Sequence, residues 1–237
     1  MKYEAIFHKE IEIQQFFGCF VWQMKHRSEG RSTIEVENVI FADFVLNCID
    51  HSKFIYPLSI TYNDRPDFVI KTEKKIIGVE ITEQWSKNFG HAMSLSEHND
   101  GFIELSDFNI DSDFKKLKGK KIVELVSKKK LTGPPSMGFQ EEENWVKRTL
   151  KTTKNKTQKY KNYPNYKKFT DNYLVIFDVR PETPILDDVT EEMLSPLFSL
   201  KETTPFTKIF CMDSHIIEID LIRKKIVTIR NNKDKKC

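Results

Sequence analysis

The chain has 237 residues, 39% hydrophobic and 12% aromatic, enough apolar mass for one large domain with a substantial core. Its 38 basic and 35 acidic residues leave a formal net charge of +3, so total charge selects no partner and only its distribution is informative. No apolar run approaches bilayer-spanning length, Met1-Lys2-Tyr3-Glu4 lacks the apolar stretch of a signal peptide, and Cys19, Cys48, Cys211 and Cys237 form no C-x-x-C zinc pair, so a reduced, cytoplasmic protein is the expectation.

Residues 4 to 26 read as an amphipathic helix, because Ile6, Ile13, Phe17, Phe20 and Met24 recur as one stripe at about 100° per residue. Glu10 falls within that stripe, either buried with it or reaching solvent from its edge. Gly30 marks a turn, Ile34 onward reads as a short strand or irregular link, and a helix is expected near residues 41 to 50. Residues 54 to 60 suggest a strand broken or ended at Pro57.

The next stretch carries the chemistry. Phe68-Val69-Ile70 and Ile76-Ile77-Gly78-Val79-Glu80-Ile81-Thr82 read as two strands joined at Glu73-Lys74-Lys75. Alternation puts Gly78, Glu80 and Thr82 on one face and Ile77, Val79 and Ile81 on the other. Glu80 thus interrupts a strand that looks buried, where an ionised carboxylate is costly unless it is paired or metal-bound. Asp67 opens the neighbouring strand after Pro66, and a hairpin of this length brings the two carboxylates together, a pairing that suits Mg²⁺. A purely structural alternative has Asp67 capping a strand and Glu80 paired with a lysine.

Residues 85 to 140 show little regular pattern and read as an insertion, with His91 and His98 in loop-like surroundings and a basic run that includes Lys120 and Lys121. Residues 141 to 163 read as a long helix, acidic at its start and basic later, as the helix dipole favours. Val146, Leu150, Thr153, Thr157 and Tyr160 share one face. The lysines around them, among them Lys151, Lys154, Lys156 and Lys159, make either a solvated surface or one that tracks phosphates, and Tyr160, Tyr163, Tyr166 and Phe169 suit core packing or base stacking. Tyr173 to Val179 is a central strand, residues 187 to 200 a short acidic helix open to interruption at Pro196, and Thr207 to Met212 another strand. Residues 215 to 220 and 225 to 229 form a terminal hairpin, followed by a frayed tail at 231 to 237.

The order of helix, Pro66-Asp67 strand, Glu80-Ile81-Thr82 strand, basic helix and central strand resembles the PD-(D/E)xK nuclease superfamily. The resemblance covers roughly residues 4 to 84 and 141 to 180. It implies one α/β domain with a restriction-endonuclease-like αβββαβ core and a mixed sheet, carrying the basic insertion and the C-terminal β-hairpin. It also implies a Mg²⁺-dependent nuclease, with Mn²⁺ as a substitute, acting on nucleic acid and on DNA in preference to RNA; a homodimer is compatible with it. Asp67, Glu80 and Glu10 would hold the metal, and Lys120, Lys121, Lys151, Lys154 and Lys159 the nucleic-acid backbone. The family's lysine two residues after the second acid is Thr82 here. In some branches the following helix supplies it, and Lys156, in a Lys-x-x-Lys-x-x-x-Tyr setting, is the residue assigned that role. The rival expectations are a catalytically inactive nuclease fold that binds nucleic acid, or an interaction protein of the toxin or effector kind.

Overall fold

A computed structural model describes residues 4–19, 30, 32–49, 54–84, 140–163, 166, 169–178, 191–212 and 216–229. The expected insertion (apart from its last residue, 140), Lys120, Lys121, His91, His98 and the tail at 231–237 lie outside the described residues.

The described strands form one eight-stranded sheet in chain order: β1 (Glu4–Phe7), β2 (Leu58–Tyr62), β3 (Phe68–Lys71), β4 (Ile76–Gln84), β5 (Asp171–Asp178), β6 (Lys208–Met212), β7 (Ile216–Asp220) and β8 (Lys225–Ile229). Neighbours are antiparallel except for β4–β5 and β5–β6, which are parallel. A parallel pair needs a crossover, and the described crossover segments are helical. Helix α3 (Gln140–Asn162) lies between β4 and β5, and α4 (Glu191–Phe198), with a 3₁₀ turn (Ser199–Glu202), lies between β5 and β6. Helices α1 (Glu10–Gly18) and α2 (Thr33–Asn47) precede β2.

The side-chain period of the strands sorts the core into two layers. Ile77, Val79, Ile81, Tyr173 and Val175 pack with Ile13 and Phe17 of α1 and Ile40, Phe41 and Phe44 of α2. Leu174, Ile176, Ile209 and Ile217 face the other way, against Trp145 and Val146 of α3 and Leu194 and Leu197 of α4. The result is a mixed sheet between two helical layers. Strand β5 is buried along Asn172–Ile176, as its apolar run requires of a strand covered on both faces.

Two local readings are corrected. Of the expected helix over 4–26, residues 4–19 are a short edge strand followed by α1, because Glu4–Phe7 pairs antiparallel with β2, and residues 20–26 lie outside the described residues. The ladder outweighs a stripe that Ile6, 61% exposed, does not join. The expected link from residue 34 is instead the first half of α2. Ser32 accepts from the Glu35 backbone N–H while the Glu35 carboxylate accepts from the Ser32 N–H, a capping box that starts the helix despite its β-branched Thr33, Ile34 and Val36. Pro196 lies inside α4 and does not end it.

Candidate functional site

The hairpin β3–β4 sets the site. Phe68 lies opposite Val79 and Val69 opposite Gly78, so the residue before the ladder, Asp67, faces Glu80. Phe68 is anchored by stacking on Phe41 of α2 at 3.7 Å between ring centroids, which fixes the start of β3. Asp67 Oδ2 accepts from the Ile81 backbone N–H at 2.7 Å, tying the first acid to the strand of the second. Gly78 is needed one step away. A Cβ there would lie 2.8 Å from Phe169 Cδ2 and 2.9 Å from both Asn172 Oδ1 and Pro66 Cγ.

Helix α3 brings the cation. Its sheet-facing side carries Trp145, Thr149, Thr153, Thr157 and Tyr160, all buried. The hydroxyls are satisfied locally: Thr153 donates to the Thr149 carbonyl at 2.8 Å, and Thr157 and Thr204 share a hydrogen bond at 2.7 Å. On the edge of that stripe, the Lys156 ammonium donates to Glu80 Oε1 at 2.7 Å and to the Ile81 carbonyl at 2.8 Å. The Tyr166 hydroxyl donates to the other Glu80 oxygen. The Lys156 and Glu80 side chains are only 16% and 10% exposed, so the pair is largely withdrawn from water. Both readings of Glu80 therefore coincide in one geometry: it pairs with a lysine, and it faces a second acid.

Burial, and then the charge of Glu80, push the Asp67 carboxyl well above the usual carboxylate range, with Lys156 and the Ile81 N–H acting in the opposite sense. A third acid joins the field. Glu37 on α2 accepts from the Tyr62 hydroxyl at 2.9 Å. Its carboxyl is raised by burial, against the lowering effects of Tyr62 and Lys156, and its charge in turn raises Asp67. Burial and Glu37 raise the Tyr62 hydroxyl as well.

Glu37, not Glu10, is thus the helical acid beside Asp67 and Glu80. Glu10 is exposed at the start of α1 and accepts from Gln14 at 3.0 Å. Of the two readings of Glu10 the structure has the solvent-exposed one, because the buried stripe of α1 is Ile13 and Phe17, and the expected place of Glu10 at the metal site is corrected. The sequence did carry a signal for Glu37. The Ser32-Thr33-Ile34-Glu35 capping box announces a helix, and Val36, Ile40 and Phe44 then define its buried face with Glu37 beside it.

The remaining basic candidates on α3 separate by angle. Lys159 is exposed one turn after Lys156 and about 60° around the axis. Lys151 and Lys154 are exposed about 140–160° away, on the solvent side opposite the site.

Asp67, Glu80, Glu37 and the Ile81 carbonyl supply only oxygen donors, the kind a hard cation takes. Among the described residues, no three His, Cys, Asp or Glu side chains converge as a ready-made metal-holding group. Mg²⁺ commonly needs only one or two carboxylates, completing its shell with water and substrate phosphate, so the donor set fits it in kind. A separate cleft on the α1/α2 side is lined by Tyr173, Lys208, Phe210, Glu218 and Asp220, among others, and in it Lys208 pairs with Glu218 and Asp220. None of the described helices is long and apolar enough to cross a membrane. Comparison with protein-family models, curated proteins and solved structures finds no match, so the meaning of the site rests on its own chemistry.

Proposed function

We propose that the protein is a metal-dependent nuclease that hydrolyses phosphodiester bonds, DNA in preference to RNA, on a restriction-endonuclease-like αβββαβ core. In this reading α2, β2, β3, β4, α3 and β5 are that core, and β1, α1 and β6 to β8 are additions. The single observation that carries the reading is the meeting of Asp67 and Glu80, held together on one hairpin, with Lys156 of α3, 76 residues beyond Glu80 in the sequence.

Asp67 and Glu80 would hold the cation, with the Ile81 carbonyl as a further oxygen donor and Glu37 adding negative charge to the field. A bound Mg²⁺ there supplies Lewis-acid polarisation of the phosphate and a more acidic water. The chain's own part is to orient and to balance charge. The Ile81 N–H fixes the Asp67 carboxylate, Tyr166 and Lys156 fix the two oxygens of Glu80, and Lys156 carries the positive charge that offsets a phosphate entering beside two acids. Lys156 takes the part left open by Thr82.

One observation favours a second reading. The Lys156 ammonium sits on both Glu80 and the Ile81 carbonyl, so the site is already neutralised by an internal cation, as a binding-only relative of such an enzyme would be. The two readings separate by experiment. Plasmid DNA, single-stranded DNA and RNA are incubated with Mg²⁺ or Mn²⁺ and the wild type, Glu80→Gln or Lys156→Met. Metal-dependent cleavage that is lost in Glu80→Gln establishes the nuclease. Binding without cleavage, unchanged in Glu80→Gln, establishes the binding protein.

A further inference from the structure

A second feature adjoins the carboxylates and is used by none of the roles above. Tyr163, just beyond the last turn of α3, is 42% exposed, and the Arg65 guanidinium carbon lies 4.0 Å from its ring centroid. The pair is tied to both halves of the site. Arg65 is two residues before Asp67, and Tyr163 is seven residues after Lys156. Seven helical residues are nearly two turns, so Tyr163 stays on the Lys156 edge of α3, about 10 Å along the axis, with the exposed Lys159 between them. Arg65 also meets Asp64 at 3.7 Å, but the Asp64 side chain is 77% exposed, and such a solvated ion pair is readily exchanged for another anion.

A half-exposed ring under a guanidinium closes no core. It offers a flat stack of a guanidinium on one ring face, with planar surfaces and a cation for a neighbouring base and its phosphate. A base inside a continuous duplex has both faces covered by its neighbours and offers nothing to such a platform. About 10 Å corresponds to roughly three stacked nucleotide steps, and fewer in an extended strand. We propose that Tyr163 and Arg65 form a stacking clamp for an unpaired nucleotide close to the scissile phosphate, so that the preferred substrate is single-stranded or splayed nucleic acid rather than continuous duplex. The substrate preference rests on the nuclease reading; the binding preference does not need cleavage.

The test uses the full chain, a labelled 20-nucleotide oligodeoxythymidine and a duplex of equal length. Binding is read by fluorescence anisotropy in EDTA, and cleavage separately with Mn²⁺. Losing one base stack weakens binding by roughly 5- to 150-fold. Tyr163→Ser is expected to weaken single-strand binding by at least about tenfold within that range and to leave duplex binding unchanged, while Tyr163→Phe retains affinity. Tyr163→Trp gives an independent readout, its added fluorescence being quenched when the single strand binds. Equal or tighter duplex binding by the wild type, an equal loss on both ligands in Tyr163→Ser, or absence of quenching overturns the clamp. Cleavage without single-strand preference leaves the nuclease standing and removes the clamp. Tyr163-dependent single-strand binding with no cleavage does the reverse.

Discussion

Replacing Lys156 with methionine separates a metal site from a structural ion pair without any need for cleavage. The substitution keeps an unbranched side chain out to its ε carbon and removes the ammonium that bonds Glu80 Oε1 at 2.7 Å and the Ile81 carbonyl at 2.8 Å. Asp67 and Glu80 are then left facing each other, both buried, with the Ile81 N–H and the Tyr166 hydroxyl as their remaining donors. Removing one partner from a buried pair costs about 3–5 kcal/mol. For a domain of this size each kcal/mol moves Tm by about 2–4 °C, so the metal-free variant should melt roughly 6–20 °C below wild type at pH 7.5. Protonation relieves the strain by about 1.4 kcal/mol per pH unit below the carboxyl pKa, so the gap should narrow towards pH 4. A divalent cation can then fill the place of the ammonium. At a hundred times its Kd it returns about 2.7 kcal/mol, so Mg²⁺ or Mn²⁺ should raise Tm more in Lys156→Met than in wild type. Thermal melts in EDTA and in 10 to 20 mM Mg²⁺ (about that range, to saturate a weak site) decide the matter. A metal-free Tm equal to that of wild type, or a metal gain no larger than in wild type, would refute the reasoning.

The raised Asp67 carboxyl predicts a trade between stability and activity. The folded chain keeps a proton that the unfolded chain releases, so the acid lowers stability as pH rises through the ordinary Asp range towards its folded pKa. Asp67→Asn should therefore stabilise the fold by about 0.5–2 kcal/mol at pH 7–8, lose that gain below about pH 4, and abolish metal-dependent cleavage; chemical denaturation across pH reads the first two. Gly78→Ala forces a methyl against Phe169, Asn172 and Pro66 and should cost about 1–3 kcal/mol in urea unfolding, whereas an unchanged midpoint would show that these neighbours yield freely. On α3, Lys159→Ala should lower the salt slope of nucleic-acid binding by about 0.7–0.9, as expected for one lost phosphate contact. Lys151→Ala and Lys154→Ala, on the far side of the helix, should leave that slope unchanged.

Features that depend on short-range pattern were legible before any packing was known. Alternation around Glu80 assigned Ile77, Val79 and Ile81 to one layer of the core, and the apolar run at Tyr173–Ile176 marked a strand buried on both faces. The acidic start and basic later turns of α3 marked a helix whose bounds, Gln140–Asn162, fall within a residue of those read from its pattern. Adjacent Pro66-Asp67 and the hairpin length were enough to bring Asp67 opposite Glu80. Local pattern failed where a ladder or a cap overrode it, at Glu4–Phe7 and at Thr33–Asn47, and with α2 misread the acid at Glu37 went unseen. The resemblance singles out Lys156, but the contact of its ammonium with Glu80, the turning away of Lys151 and Lys154, and the arrival of Glu37 come from the tertiary packing. These outcomes depend on the rotation of α3 and α2 about their axes once Trp145 and Phe41 are buried, and a helix carrying lysines on several sides does not declare that rotation in its sequence.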